Sequence, residues 1–179
     1  TSFPGGIIHG NSVAGFITGR TVGDKIQGIA PNAKWAGIMA INHYAEAIQW
    51  ALEHDFDTYN MSFSFPNLGE YKSYWRKVSE HAALCGLVLI SGSGNFGDPN
   101  NPNFVAVPNQ MRTPENIPLA VLGVSGVNQG ESHPLFSSKG PVVWDTNLYS
   151  EGTVDKPDFA TYNTNLPTFD INGQELVLN

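Results

Sequence analysis

Cysteine is almost absent. The one thiol, Cys85, lies inside the apolar run "AALCGLVLI" and has no partner for an internal disulfide. It reads as a small core residue. Positive charge is also scarce, with 9 Lys and Arg against 16 Asp and Glu and a formal net charge of −7. No Lys/Arg cluster occurs, so the chain has no electrostatic footprint for nucleic acid or for an anionic membrane surface. No apolar run approaches the roughly eighteen residues of a membrane-spanning helix. Charged residues make up only 14%, while 19 Gly and 12 Pro accompany 41% hydrophobic residues. That balance excludes a coiled coil or a disordered tail and fits a loop-rich globular domain with a sizeable core. The 179 residues are the size of one domain.

Several catalytic signatures are missing too. No His-Glu-x-x-His pair marks a zinc site. The Gly-x-Ser-x-Gly elbow does not fit "SGSGN" or "LGVSGV". The glycine-rich stretch at 92–94 does not open a helix followed by a distant acid, so a dinucleotide site is not indicated. Asp55 and Asp57 are a carboxylate pair by proximity alone. His43, His54, His81 and His133 have no assigned role; His54 and His81 are expected on exposed helix surfaces and His133 in a loop.

What is present is an alternation of periods. A short helix is expected over 12–17. "AKWAGIMAI" (33–41) reads as a buried strand. "YAEAIQWALEH" (44–54) has apolar residues at helical spacing. "TYNMSFSF" (58–65) reads as a strand ended by Pro66. "GEYKSYWRKVSEHAAL" (69–84) reads as an amphipathic helix with Tyr71, Tyr74, Trp75, Val78 and Ala82 facing inward. "GLVLISGSG" (86–94) and "LAVLGVSGV" (119–127) read as central strands. From Ser132 the chain looks loop-like, and "TFDINGQELVLN" has the alternation and Asn-Gly of a hairpin. Strand, helix, strand at these intervals predicts parallel βαβ units, with ligands at the carboxyl ends of the strands.

Five blocks in this order carry a resemblance. They are "HGNSVAGFITG" (9–19), "GIAPNAKWAGIMAI" (28–41), "AIQWALEHDFDTYNMSFSFP" (47–66), "GLVLISGSGNFGD" (86–98), and the stretch from "PENIPLAVLGVSGVN" through "PLFSSKGPVVWD" to "KPDFA" (114–160). Together they resemble subtilisin-like serine peptidases. The resemblance implies a three-layer α/β sandwich with a mostly parallel sheet. It implies a single peptidase core domain over 1–179, truncated at both ends. It further implies a serine endopeptidase acting by acyl transfer, with His9 as the catalytic histidine and Asn95 as the oxyanion donor.

Ser62, Phe63 and Ser64 match the strand that pairs with extended substrate. Gly92, Ser93 and Gly94 match the opposite wall of the specificity pocket. A serine hydroxyl needs a base, and a neutral imidazole serves near neutral pH. The implied partners are a peptide or protein substrate and the segments that carry the family's Asp and Ser. The family's order places that Asp before His9 and that Ser in a Gly-Thr-Ser motif after the Lys-Pro-Asp segment; no Gly-Thr-Ser occurs in this sequence. The alternative reading is a non-catalytic pseudo-peptidase or interaction domain on the same scaffold.

Departures from the family pattern bear on the binding surface. Ser12 replaces the family's second histidine. The 40–47 loop is short, and Phe65 stands where the family carries small residues, so it is expected either to crowd one side of the substrate strand or to be turned elsewhere. No cofactor is expected. "GDPNNPN" (97–103) has the oxygen types of a structural calcium loop but reads as a surface turn. An extracellular location follows from the family alone.

Overall fold

The computed structural model describes residues 4–20, 28–39, 42–100, 110–169 and 175–178. The chain divides into two compact units, one of residues 1–39 with 163–179 and one of residues 40–162.

The larger unit is built on a parallel sheet. Its strands are β1 (Thr58–Met61), β2 (Val88–Gly92), β3 (Val121–Val127) and β6 (Phe159–Tyr162), in the order β1-β2-β3-β6 and all parallel. Helix α2 (Tyr44–Glu53) precedes β1 and helix α3 (Tyr71–Leu84) joins β1 to β2. This is the α/β arrangement with a mostly parallel sheet that the alternating periods predict. The two helices and one sheet face share a core of Tyr44, Ile48, Ala51, Met61, Trp75 and Leu89, among others. Residues Met61↔Ser91 and Ser91↔Gly123 are in register, so β1, β2 and β3 end side by side at their carboxyl edge. There the Ser91 hydroxyl donates to the Met61 carbonyl at 2.8 Å.

Four expectations need correction in this unit. Strand 58–65 stops at Met61, and Phe65 instead forms an isolated antiparallel bridge with Thr113. The inner face of α3 is rotated from the apolar stripe. Tyr71 is 72% and Tyr74 50% exposed, while Ser73, Arg76 and Ser79 are buried with Trp75 and Ala82. The reason is polar pairing. Ser79 hydrogen-bonds the Tyr44 hydroxyl at 2.7 Å, Ser73 donates to Thr146 at 2.6 Å, and Arg76 pairs with Glu80 and Glu151.

Cys85 is exposed rather than in the core, because it caps the carboxyl end of α3 where Gly86 (φ +94°) turns the chain. The region after Ser132 is not only loop. It holds the antiparallel hairpin β4 (Val142–Asp145) and β5 (Ser150–Val154), and then β6. These strands are four or five residues long, too short for periodicity to declare them.

The smaller unit contains α1 (Pro4–Thr18) and the antiparallel hairpin β7 (Leu166–Phe169) and β8 (Glu175–Leu178). The expected hairpin is present, although residues 170–174 at its turn lie outside the described residues. Helix α1 begins eight residues earlier than periodicity indicates. Pro4 occupies the first helical position, where its missing N–H costs nothing. His9 therefore lies inside the helix, not at its start. Ser12 is buried, and its carbonyl accepts from the Thr168 hydroxyl at 2.8 Å, fastening the hairpin to α1.

The strand expected at 33–41 does not form over 33–39, and residues 40–41 lie outside the described residues. Met39 is 86% and Trp35 54% exposed. An apolar run becomes a strand only where a neighbour supplies a ladder and a face to pack on, and no described residue pairs with it.

Candidate active site

The carboxyl edge of the sheet carries most of the sequence-derived site. Just past β1 lie Ser62, Phe63 and Ser64; just past β2 lie Ser93, Gly94 and Asn95. Since β1 and β2 are adjacent parallel strands, these two stretches leave the sheet beside each other. His9, on α1, belongs to the smaller unit and is exposed.

The turn bearing Asn95 is pinned from several sides. The Ser93 N–H donates to the Val124 carbonyl at 2.7 Å. The Ser138 N–H donates to the Gly94 carbonyl at 2.9 Å, and the Ser138 hydroxyl accepts from the Phe96 N–H at 3.0 Å. The Gly97 N–H donates to the Phe136 carbonyl at 2.9 Å. The "FSSKG" stretch thus acts as a brace for the loop after β2. Gly94 has φ +96°, and a Cβ there would lie 2.9 Å from the Phe96 ring. A Cβ on Gly97 would collide with the Ser137 and Leu135 carbonyl oxygens. Both glycines are required by close approach. Asn95 itself stays exposed on this braced turn, so its amide is free to meet a ligand at a fixed place in the chain.

On the opposite side, Ser62 is exposed and accepts from the Asn60 amide at 2.9 Å. Phe63 and Phe65 do not flank the strand as open obstacles. Both are half-buried and meet Trp75 edge-on, with ring centroids 6.3 and 5.3 Å away. Trp75 in turn stacks on Tyr44 at 3.8 Å. Aromatic packing of this kind turns Phe65 into the core cluster, the second of the two placements expected for it. A groove of about 340 Å³ opens beside it, lined by Tyr44, Phe65, Leu68, Tyr71, Tyr74 and Trp75 among others.

Three residues of this region escape a sequence reading. Glu115 is fully buried; its Oε1 accepts from the Ser64 hydroxyl at 2.8 Å and from the Arg112 N–H at 2.9 Å. Burial pushes its carboxyl up to about 7, against the opposing pull of those hydrogen bonds and of the Arg112 charge. The Arg112 guanidinium lies 3.4 Å from the Phe96 ring centroid, and burial lowers its pKa from the ordinary value. Ser138 is the third. The one available signal was an acid inside the otherwise apolar "TPENIPLAVL".

Among the described residues no group of three or more His, Cys, Asp or Glu is placed to hold a metal. In the 97–103 stretch, Asp98 accepts from the Asn100 N–H at 2.8 Å, and residues 101–103 lie outside the described residues.

This arrangement matches known proteins at the level of the whole chain. The sequence profile described as the Subtilase family matches residues 4–175. The chain belongs to the subtilase family. It is 24% identical over 140 residues to Subtilisin DY of Bacillus licheniformis, covering 74% of this chain and 47% of that protein. Against Subtilisin E of Bacillus subtilis (strain 168) the identity is 24% over 168 residues, covering 88% and 42%. The Minor extracellular protease Epr of the same organism is 27% identical over 143 residues, covering 75% and 20%. The chain therefore spans less than half the length of these relatives.

Among solved structures, the prenylagaramide maturation protease PagA superposes with a TM-score of 0.68 at 19% identity, covering all of this chain and 60% of that one. The PatG macrocyclase in complex with peptide gives 0.67 at 17%, covering 94% and 46%. These likenesses establish the subtilase fold. No helix among the described residues is long and apolar enough to cross a membrane.

Proposed function

We propose that this chain is the central part of a subtilisin-like serine endopeptidase that hydrolyses peptide bonds by acyl transfer. The observation that carries the reading is the pairing, at one carboxyl sheet edge, of the exposed Ser62 stretch with the braced Asn95 turn. An extended peptide binds by laying its main chain along the backbone of a strand or its continuation, and here two stretches leave adjacent parallel strands side by side.

In this reading a serine from a segment outside residues 1–179 attacks the peptide carbonyl while His9 takes its proton. The negative charge that develops on the carbonyl oxygen is met by the Asn95 side-chain N–H. His9 then returns the proton to the leaving amine, and a water repeats the sequence to release the acid. An aspartate, also from outside these residues, orients His9 and stabilises the imidazolium. The Asn95 turn suits its part because its braces are made before substrate arrives, so no reorganisation is needed as charge develops. No cofactor enters this scheme. Calcium, if bound by the whole protein, would have a structural part. An extracellular location is supported by the similarity to the Minor extracellular protease Epr.

The test is labelling of the full-length protein with a fluorophosphonate, which reports a serine activated by its base. The wild-type protein should form a covalent adduct and His9→Ala should not. Asn95→Ala should lower kcat about 10²- to 10³-fold with a smaller change in KM, the magnitude known for a subtilisin oxyanion asparagine. A folded full-length protein that forms no adduct would favour the pseudo-peptidase reading.

A further inference from the structure

Ser64 closes the exposed stretch after β1, and three links tie it to one segment. Its hydroxyl donates to Glu115 Oε1 at 2.8 Å. The Phe65 N–H donates to the Thr113 carbonyl at 2.8 Å, and the Thr113 N–H returns a bond to the Phe65 carbonyl at 3.4 Å. Glu115 Oε1 also accepts from the Arg112 N–H, which fixes the carboxyl over its own turn. Its Oε2 is buried and has no hydrogen-bond partner among the described residues. A carboxyl in that position is costly to keep. For filling space, Leu or Met of similar volume would serve better. What those side chains cannot do is hold the Ser64 hydroxyl.

We propose that Glu115 is a positioning residue for the peptide-binding stretch, holding Ser64 so that Ser62–Ser64 keeps the backbone conformation that a substrate main chain pairs with. The strand's order follows from geometry alone; that the ligand is a peptide substrate rests on the endopeptidase reading. The charged surroundings are few. Ser64 and Phe65 bring no titratable group. The loop of Glu115 brings Arg112, drawn onto Phe96. Strand β3 brings Gly123 against the Glu115 carbonyl, with the Asp158–Lys156 pair (2.6 Å) beyond it. The carboxyl changes charge close to neutral pH. An opening that hydrates the buried carboxyl is favoured once it ionises, so the stretch is held more firmly below pH 7 than above it.

The test uses the full-length protein in two arms. In the first, hydrogen exchange is followed at the Phe65 and Thr113 amides, with Leu89 in the centre of the sheet as reference. Glu115→Ala should lower protection at Phe65 about tenfold relative to Leu89, and Glu115→Gln should restore most of it at every pH. Unchanged protection in Glu115→Ala, or an equal loss at Leu89, overturns the proposal. In the second, cleavage of an extended peptide is compared with that of a short ester that reaches only the reacting groups.

Wild-type KM for the peptide should rise about fivefold from pH 6 to pH 8, a change of about 1 kcal/mol. Glu115→Gln should flatten that dependence, leaving the ester's kcat unaltered. A parallel fall of kcat on both substrates overturns the positioning role. If the wild-type protein cleaves neither substrate, the peptidase reading fails, and the exchange arm still decides whether Glu115 orders the strand.

Discussion

A carboxyl with no exposed surface reverses the usual dependence of stability on pH. Most carboxylates gain partners on folding, and their contribution is lost in acid. Glu115 is held near 7 by burial, above the 4.5 of a free carboxyl. The folded protein therefore binds this proton more tightly than the unfolded chain does. Its contribution is fully present below about pH 4.5 and is lost as pH rises through about 7. The gap corresponds to about 3 kcal/mol. Glu115→Gln keeps the shape and the acceptor but not the proton. It should be more stable than wild type at pH 8 and close to it at pH 4.5, as read from urea midpoints at both values. Equal differences at the two pH values would mean that folding does not shift the Glu115 carboxyl.

At the same scale, the sequence marked Asn95 because its neighbours are glycines and its block sits in a recognisable order. It could not mark Glu115 or Ser138, whose work is to hold other residues across more than forty positions of chain. Such a role leaves no local pattern.

Among the elements, the β-rich hairpin and helix α3 are joined by charge inside an apolar setting. Arg76 is buried, pairs with Glu80 and Glu151, and lies 3.9 Å from the Tyr149 ring centroid. Both partners are about a third exposed, so water compensates them when Arg76 is removed, and Arg76→Ala should destabilise by about 1–2 kcal/mol. Arg76→Met, which keeps the stem, should cost less; thermal unfolding of the two variants distinguishes charge from packing. This pairing also explains why Tyr71 and Tyr74 of the expected stripe stand outside while Trp75, Val78 and Ala82 face the core. Periodicity places Tyr71 and Tyr74 inward, yet buried Ser and Arg took those positions because partners waited for them on α2 and β5.

The turn after β2 carries its own prediction. Gly94→Ala meets both a strained φ and the Phe96 ring. It should cost about 1–3 kcal/mol in stability and reduce peptide turnover by displacing Asn95. A variant with wild-type stability and turnover would mean that the brace is not required.

For the whole molecule, order along the chain was the legible part. Helix 44–53, helix 71–84 and strands β1 to β3 follow from apolar spacing, and their alternation gives the parallel sheet. The family match over residues 4–175 agrees with the five blocks. What periodicity could not supply was pairing. The apolar run at 33–39 has strand composition and forms no strand, whereas "FATY" at 159–162, with all four residues exposed, completes the sheet beside β3. Ladder formation depends on neighbours from distant parts of the sequence, and a linear reading does not contain them.

The most direct measurement is a crystal structure of the full-length protein with a peptide boronate, whose tetrahedral oxygen mimics the reaction's oxyanion. The account predicts the peptide backbone hydrogen-bonded to Ser62–Ser64 on one side and Gly92–Gly94 on the other, with the Asn95 amide nitrogen about 3 Å from the boronate oxygen. A peptide bound elsewhere, or an Asn95 amide turned away from a covalently bound boronate, would contradict it.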